Sequence, residues 1–184
     1  MRRRRDNSFK TEADLCAAFL KWVRISQPGW TPYPETEGWD ILLAHADGTQ
    51  IGIQAKLRFN IAVLEQAVEP HNVDSQPGPD YRAVLVPAGC GSRTLSAALG
   101  LTMITARKGW DGKYGFYPDL CGGFNRFEPW HYCNPDKRLR LPEYLPDSRA
   151  GVPSPSPLTP WKVAALKICA ILRSAAGSAV LISN

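Results

Sequence analysis

No stretch of this sequence is both long and apolar enough to read as a membrane span. The longest apolar segment, Val163 to Ile182, is broken by Lys167 and Arg173, and charges inside a bilayer are costly. A secretory signal is missing as well, because the start MRRRRDNS is basic but leads into no apolar h-region. Nor is there a disulfide framework. The five cysteines, Cys16, Cys90, Cys121, Cys133 and Cys169, are odd in number and scattered, which suits a reducing compartment. Together these absences read as a cytoplasmic protein with no membrane partner. Cys121, His131 and Cys133 are separated by nine and one residues, a spacing that matches no common zinc finger. They read as residues of a packed segment, and zinc is not expected there.

A broad excess of one charge is also lacking. The formal net charge is +5, from 22 Lys and Arg against 17 Asp and Glu, and Arg2, Arg3, Arg4 and Arg5 supply four of those charges. The rest of the chain is therefore only +1. Basicity sits in an N-terminal arm (1–10), which can grip phosphates without reading sequence. What is present in quantity is ordinary globular composition, 44% apolar and 21% charged. A length of 184 residues suits one domain with a small appendage, and 16 prolines with 15 glycines imply much irregular chain.

From Thr11, the run TEADLCAAFLKWVRI places Leu15, Ala18, Phe19, Trp22 and Val23 on one stripe of a helix. Thr11 and Asp14 have the spacing of a capping box, and Pro28-Gly29 marks the stop. Two strands follow, Trp39 to Ala44 and Gln50 to Leu57, joined by an Asp47-Gly48 hairpin signal. In the second, Ile51, Ile53, Ala55 and Leu57 share one face, and Gly52, Gln54 and Lys56 share the other. A helix over Ile61 to Val68, a strand over Arg82 to Pro87, a helix over Arg93 to Gly100 and a strand over Leu101 to Ala106 complete the pattern. This alternation predicts a mixed α/β sheet with crossover connections. Residues 107–147 read as an irregular, aromatic-rich extension, 148–160 as a Pro/Ser linker, and 161–184 as a helix with a strand after it.

The chemistry-bearing segment is Gly38-Trp39-Asp40-Ile41-Leu42-Leu43 followed by Gly52-Ile53-Gln54-Ala55-Lys56. Mg²⁺ takes hard oxygen ligands and keeps several waters. Asp40 offers a carboxylate, Gln54 a neutral amide oxygen, and Lys56 an ammonium that can act on the attacking water or on phosphate charge. Register decides whether they meet. A two-residue turn at Asp47-Gly48 sets Asp40 opposite Ala55, whereas a three-residue turn with a glycine bulge sets it opposite Lys56. Glu12 lies about 60° from Leu15 around the first helix. Glu35 and Glu37 are further acids in the loop before Asp40, and Gln66 is a polar position on the following helix.

These residues give the chain a resemblance to the PD-(D/E)xK, or restriction-endonuclease-like, superfamily. Its pattern is similar to the Holliday-junction-resolvase and Mrr-like members, over Thr11 to Ala106. The 14-residue interval from Asp40 to Gln54 suits that motif, and Glu12 falls where that branch carries a helical carboxylate. Gln54 departs from the usual Asp or Glu, as in the Gln-x-Lys variant of Mrr-like members. The resemblance implies a restriction-endonuclease-like α/β core and a Mg²⁺-dependent DNA endonuclease, with Mn²⁺ as a substitute. Catalytic roles then fall to Asp40, Gln54, Lys56 and Glu12, metal ligation to Asp40, Gln54 and Glu12, and an accessory position to Gln66. DNA is the expected partner, with RNA left open, contacted by Arg2 to Arg5 and Lys56. A homodimer is the usual form of resolvase-like enzymes. The alternative is a nuclease-fold DNA-binding protein without activity.

Overall fold

The computed structural model describes residues 9–68, 76–120, 130–133, 135–143, 145 and 148–152, and parts of 161–173. The arginine arm, Cys121 and the expected C-terminal strand lie outside the described residues. Two compact units are present, 1–153 and 154–184. In the second, the described residues between 161 and 173 are helical, as the sequence pattern predicts. Among the described residues no helix is long and apolar enough to cross a membrane.

The first helix, α1 (Glu12–Ser26), begins at the predicted capping box. The Thr11 hydroxyl accepts the Asp14 N–H at 3.1 Å, and the Asp14 carboxylate accepts the Thr11 N–H at 3.0 Å. Two backbone donors that a helix start leaves open are thereby satisfied. Leu15, Cys16, Phe19, Leu20 and Val23 are buried against the sheet. Each large apolar side chain hidden this way contributes about 1.5–3 kcal/mol.

The sheet has six strands in sequence order: β1 (Trp30–Thr36), β2 (Trp39–His45), β3 (Gln50–Ala55), β4 (Tyr81–Pro87), β5 (Thr102–Lys108) and β6 (Tyr114–Tyr117). The pairs β1–β2, β2–β3 and β5–β6 are antiparallel, while β3–β4 and β4–β5 are parallel. Parallel neighbours need crossovers, and α2 (Ile61–Val68) and α3 (Arg93–Ala98) lie in them. The predicted mixed α/β sheet flanked by helices is what the chain forms. One face packs Ile41, Leu43, Ile51, Ile53 and Ala55 under α1. The other packs Leu42, Val84, Val86 and Met103 against Val63, Leu64 and Ala67 of α2.

Two strands escape the sequence reading. In WTPYPET, Pro32 and Pro34 argue against a strand, yet β1 is an edge strand, where proline is tolerated. The segment 107–147 is less irregular than expected. β5 runs on to Lys108 and turns back through Asp111-Gly112 into β6, with Gly112 at φ +75°.

The rest of that segment is tied to the sheet by polar contacts. Gln50 exchanges two hydrogen bonds with the backbone of Leu139 (2.8 and 3.0 Å). The buried carboxylate of Asp80 accepts the Gln50 N–H at 2.7 Å and pairs with the Arg138 guanidinium at 2.9 Å. The predicted linker also starts too early. Residues 148–152 form a strap on the first unit, with Ala150 buried and Gly151 seated on the first turn of α1.

Candidate functional site

The hairpin between β2 and β3 closes through a three-residue loop, 46–48. His45 donates its N–H to Thr49 at 2.8 Å, Gly48 donates to His45 at 2.9 Å, and Gly48 adopts φ +90°. This is a type I turn ended by a left-handed glycine. Its register pairs Ile41 with Ile53. Continued by one residue, that places Asp40 level with Gln54, so neither register anticipated from sequence is the one adopted.

The β2–β3 pairing stops at Ile41–Ile53. Beyond it the Asp40 carboxylate accepts the Ala55 N–H at 2.7 Å, in the place where a backbone carbonyl would otherwise serve. The turn before Asp40 explains the departure. Glu37 and Gly38 both have positive φ (52° and 80°), the mirror-image two-residue turn that joins β1 to β2. Trp39 then lies flat over Gly52, where a Cβ would meet its ring at 2.4 Å.

Lys56 follows the last residue of β3. With the strand ended at Ala55, face alternation no longer binds it, and its ammonium pairs with the Glu12 carboxylate at 3.0 Å. Glu12, Asp40 and Lys56 therefore gather on the α1 side. Cys16 is close to all three, and its thiol pKa is pushed up by burial and by the neighbouring Asp40, Glu35 and Glu12 charges. Burial also raises the Asp40 carboxyl above its usual range, with Glu12 adding to the rise, against the pull of the Ala55 N–H and Lys56.

Gln54 does not join them. It is buried beside Val84 on the opposite face, and its amide nitrogen donates to the Gly38 carbonyl at 2.8 Å. The expected shared face for Gln54 and Lys56 is thus not realised. Gln54 instead braces the turn that delivers Asp40. Gln66 is exposed on α2 and stands apart from the cluster. Glu37 is an exposed turn residue. Cys133 accepts a hydrogen bond from the Arg82 guanidinium at 2.9 Å.

Glu35 is different, and its loop-acid appearance in the sequence conceals it. It adopts φ +46°, a conformation that costs a non-glycine residue free energy and tends to persist at functional sites. Its carboxylate accepts the Gly151 N–H at 2.7 Å. Its pKa is raised by burial and by Asp40, opposed by the Gly151 and Val152 N–H groups. The strap is close above α1. A Cβ on Gly151 would meet the Ala13 nitrogen, the Cys16 sulfur and the Glu12 carbonyl carbon at 3.1 Å each. Nothing in the sequence of the strap signals this contact.

Among the described residues, no three His, Cys, Asp or Glu side chains converge as a ready metal cage. The donors are nonetheless hard oxygens. Asp40 spends one oxygen on Ala55 and Glu12 one on Lys56, leaving a second on each. Mg²⁺ is commonly held by one or two carboxylates with waters completing its shell, so the donor set fits such an ion. The cluster lies at the carboxyl end of β3, the side of an open α/β sheet where ligands bind.

No family model, curated protein or solved structure matches the chain. Its class is therefore the one its own fold defines, a mixed α/β protein with an acid–lysine cluster at the end of a parallel strand.

Proposed function

We propose that the protein is a Mg²⁺-dependent DNA endonuclease with a restriction-endonuclease-like core, hydrolysing phosphodiester bonds. The observation that carries this reading is the meeting of Glu12, Asp40 and Lys56 from a helix start, a strand entry and a strand exit. A partly buried carboxyl with a raised pKa, beside a lysine and a second acid, is the kind of perturbed group that concentrates at functional sites. Asp40 and Glu12 would hold the metal, and Gln54, on the other sheet face, would brace the turn that delivers Asp40. A bound Mg²⁺ supplies a Lewis acid and a more acidic water. Lys56, paired with Glu12 at 3.0 Å, suits stabilisation of charge building on the phosphate. DNA contacts by the arginine arm and action as a homodimer belong to the same reading.

A second reading is a DNA-binding protein of the same fold without activity. It is favoured by the engagement of the Gln54 amide with Gly38 and by the lack of a three-acid cage among the described residues. The test is cleavage of branched, single-stranded and duplex DNA with Mg²⁺, with Mn²⁺ and with chelator. Metal-dependent products that disappear in Lys56→Ala support the enzyme. Binding of DNA with no products under either metal supports the second reading.

A further inference from the structure

The β5–β6 hairpin carries a surface with no part in the cluster above. Residues 107–113 are all exposed, and Trp110 at the tip is fully so. Below the tip, Arg93 from the start of α3 and Arg107 from β5 both stack on the ring of Tyr117, with guanidinium carbons 5.1 and 5.0 Å from its centre. Tyr117 is 44% exposed. Beside it, a Cβ on Gly115 would meet nothing within 4 Å, so the platform is open next to Arg107, the pairing partner of Gly115.

The charge arrangement is unusual for a merely solvated hairpin. Lys113 is offset by Asp111 at 3.5 Å. Arg93, Arg107 and the exposed Lys108 have no carboxylate within ion-pair distance among the described residues. Two guanidiniums on one ring repel each other, and an anion lodged between them relieves that repulsion. Outside the N-terminal arm the chain carries a net charge of only +1, so three unopposed cations here are a local concentration. Exposed aromatics interleaved with unpaired arginines match a strand that offers phosphates and bare base faces alternately.

We infer that this hairpin surface binds single-stranded nucleic acid, with phosphates on Arg93, Arg107 and Lys108 and a base stacked on Trp110. The inference rests on the proposed nuclease reading for the choice of nucleic acid as the polyanion. It is tested without metal, so that a failure of cleavage leaves it standing or falling on its own.

The experiment is fluorescence anisotropy of a labelled thirty-residue oligothymidine with the full chain in EDTA, titrated across NaCl concentration. Trp110→Ala touches no buried contact and should weaken binding about 5- to 150-fold, the range for one base–aromatic stack. Arg93→Ala/Arg107→Ala should lower the slope of log K against log salt by about 1.4, from two phosphates at about 0.7 each. Circular dichroism melting of both variants verifies folding, and Lys108→Ala, on an exposed side chain, repeats the slope test with one contact. A matched oligouridine arm should behave similarly, because the surface reads phosphates and base faces. Unchanged affinity and slope in all variants would overturn the inference. So would polyglutamate competing as well as oligothymidine at equal charge, since a purely electrostatic surface would then suffice. A duplex bound as tightly as the single strand, with no effect of Trp110→Ala, would remove the stacking role and overturn it equally.

Discussion

Replacing Asp40 with Asn separates two jobs of one side chain. Its oxygen accepts the Ala55 N–H at 2.7 Å, and an amide oxygen can keep that bond. What is lost is the charge. Burial, with a smaller push from Glu12, holds the Asp40 pKa above its usual range despite the Ala55 N–H and Lys56. An acid with a higher pKa folded than unfolded contributes stability that is fully present below its unfolded pKa and is lost as pH rises through its folded pKa. Above its unfolded pKa the wild type therefore gives up stability that a neutral amide keeps. The Asn variant should melt at or above the wild type there, and the advantage should vanish below about pH 4. Mg²⁺ should reverse the order. A cation at about one hundred times its Kd stabilises by about 2.7 kcal/mol. At about 2–4 °C per kcal/mol for a domain of this size, the wild type should gain roughly 5–11 °C. Asp40→Asn should lose most of that gain. Differential scanning fluorimetry in EDTA and in Mg²⁺ between about pH 4 and pH 8 reads both effects. A full Mg²⁺ shift in the variant would refute ligation by Asp40. A variant several degrees less stable in EDTA would make the carboxylate a structural strut instead.

Gln54→Glu removes the donor to the Gly38 carbonyl. It should therefore cost about 1–3 kcal/mol without metal and, by loosening the turn that delivers Asp40, weaken Mg²⁺ binding and cleavage. Isothermal titration with Mg²⁺ beside chemical denaturation checks both signs, and a variant with tighter metal binding would place residue 54 within reach of the ion. Asp80→Ala removes the buried acceptor of the Gln50 N–H and the partner of the half-exposed Arg138, and should destabilise by about 1–3 kcal/mol in urea melts. A loss under about 1 kcal/mol would mean that the Arg138 segment is not held by this contact. Gly151→Ala forces a side chain into a left-handed position at φ +75° with 3.1 Å contacts. A penalty of about 1–2 kcal/mol should raise the open population of the strap about 5- to 30-fold. Mass-mapped alkylation of the buried Cys16 at alkaline pH should speed accordingly, and an unchanged rate would show that the strap does not cover it.

Much of this architecture is legible in short-range signals. The Thr11–Asp14 box, the Asp47-Gly48 hairpin and the strand–helix alternation act through neighbouring residues; the box and the alternation are present, and the hairpin forms in a register other than the two anticipated. Lys56 stands out because a lysine is poor company for the apolar run around it, and Glu12 stands out only through the position that the family resemblance gives it. The failures come from breaks in periodicity. Alternation puts Lys56 on the face of Gln54, but β3 ends at Ala55 and the rule ends with it. The direction of Asp40 depends on a ladder that stops at Ile41, and no local pattern announces that. β1 was lost because proline is read as a strand breaker before it is known which strand lies at the edge. The strap was lost because a Gly flanked by Pro and Ser reads as linker, while its meaning lies in the helix start it touches.

The prolines of β1 bear on how two copies of this chain could meet. His45 directs its N–H to Thr49 on the β3 side. By alternation, Leu42 and Ala44 bond toward β1, where their partners are Tyr33 and Thr31. The outward row of β1 is then Trp30, Pro32 and Pro34. Two of these have no N–H, and the N–H of Trp30 is already given to the Gln27 carbonyl at 3.0 Å. A strand arriving from a second molecule would find carbonyls and almost no donors. This end of the sheet is thereby blunted against extension, which leaves side chains or the far margin at β6 as the better places for a symmetric pairing.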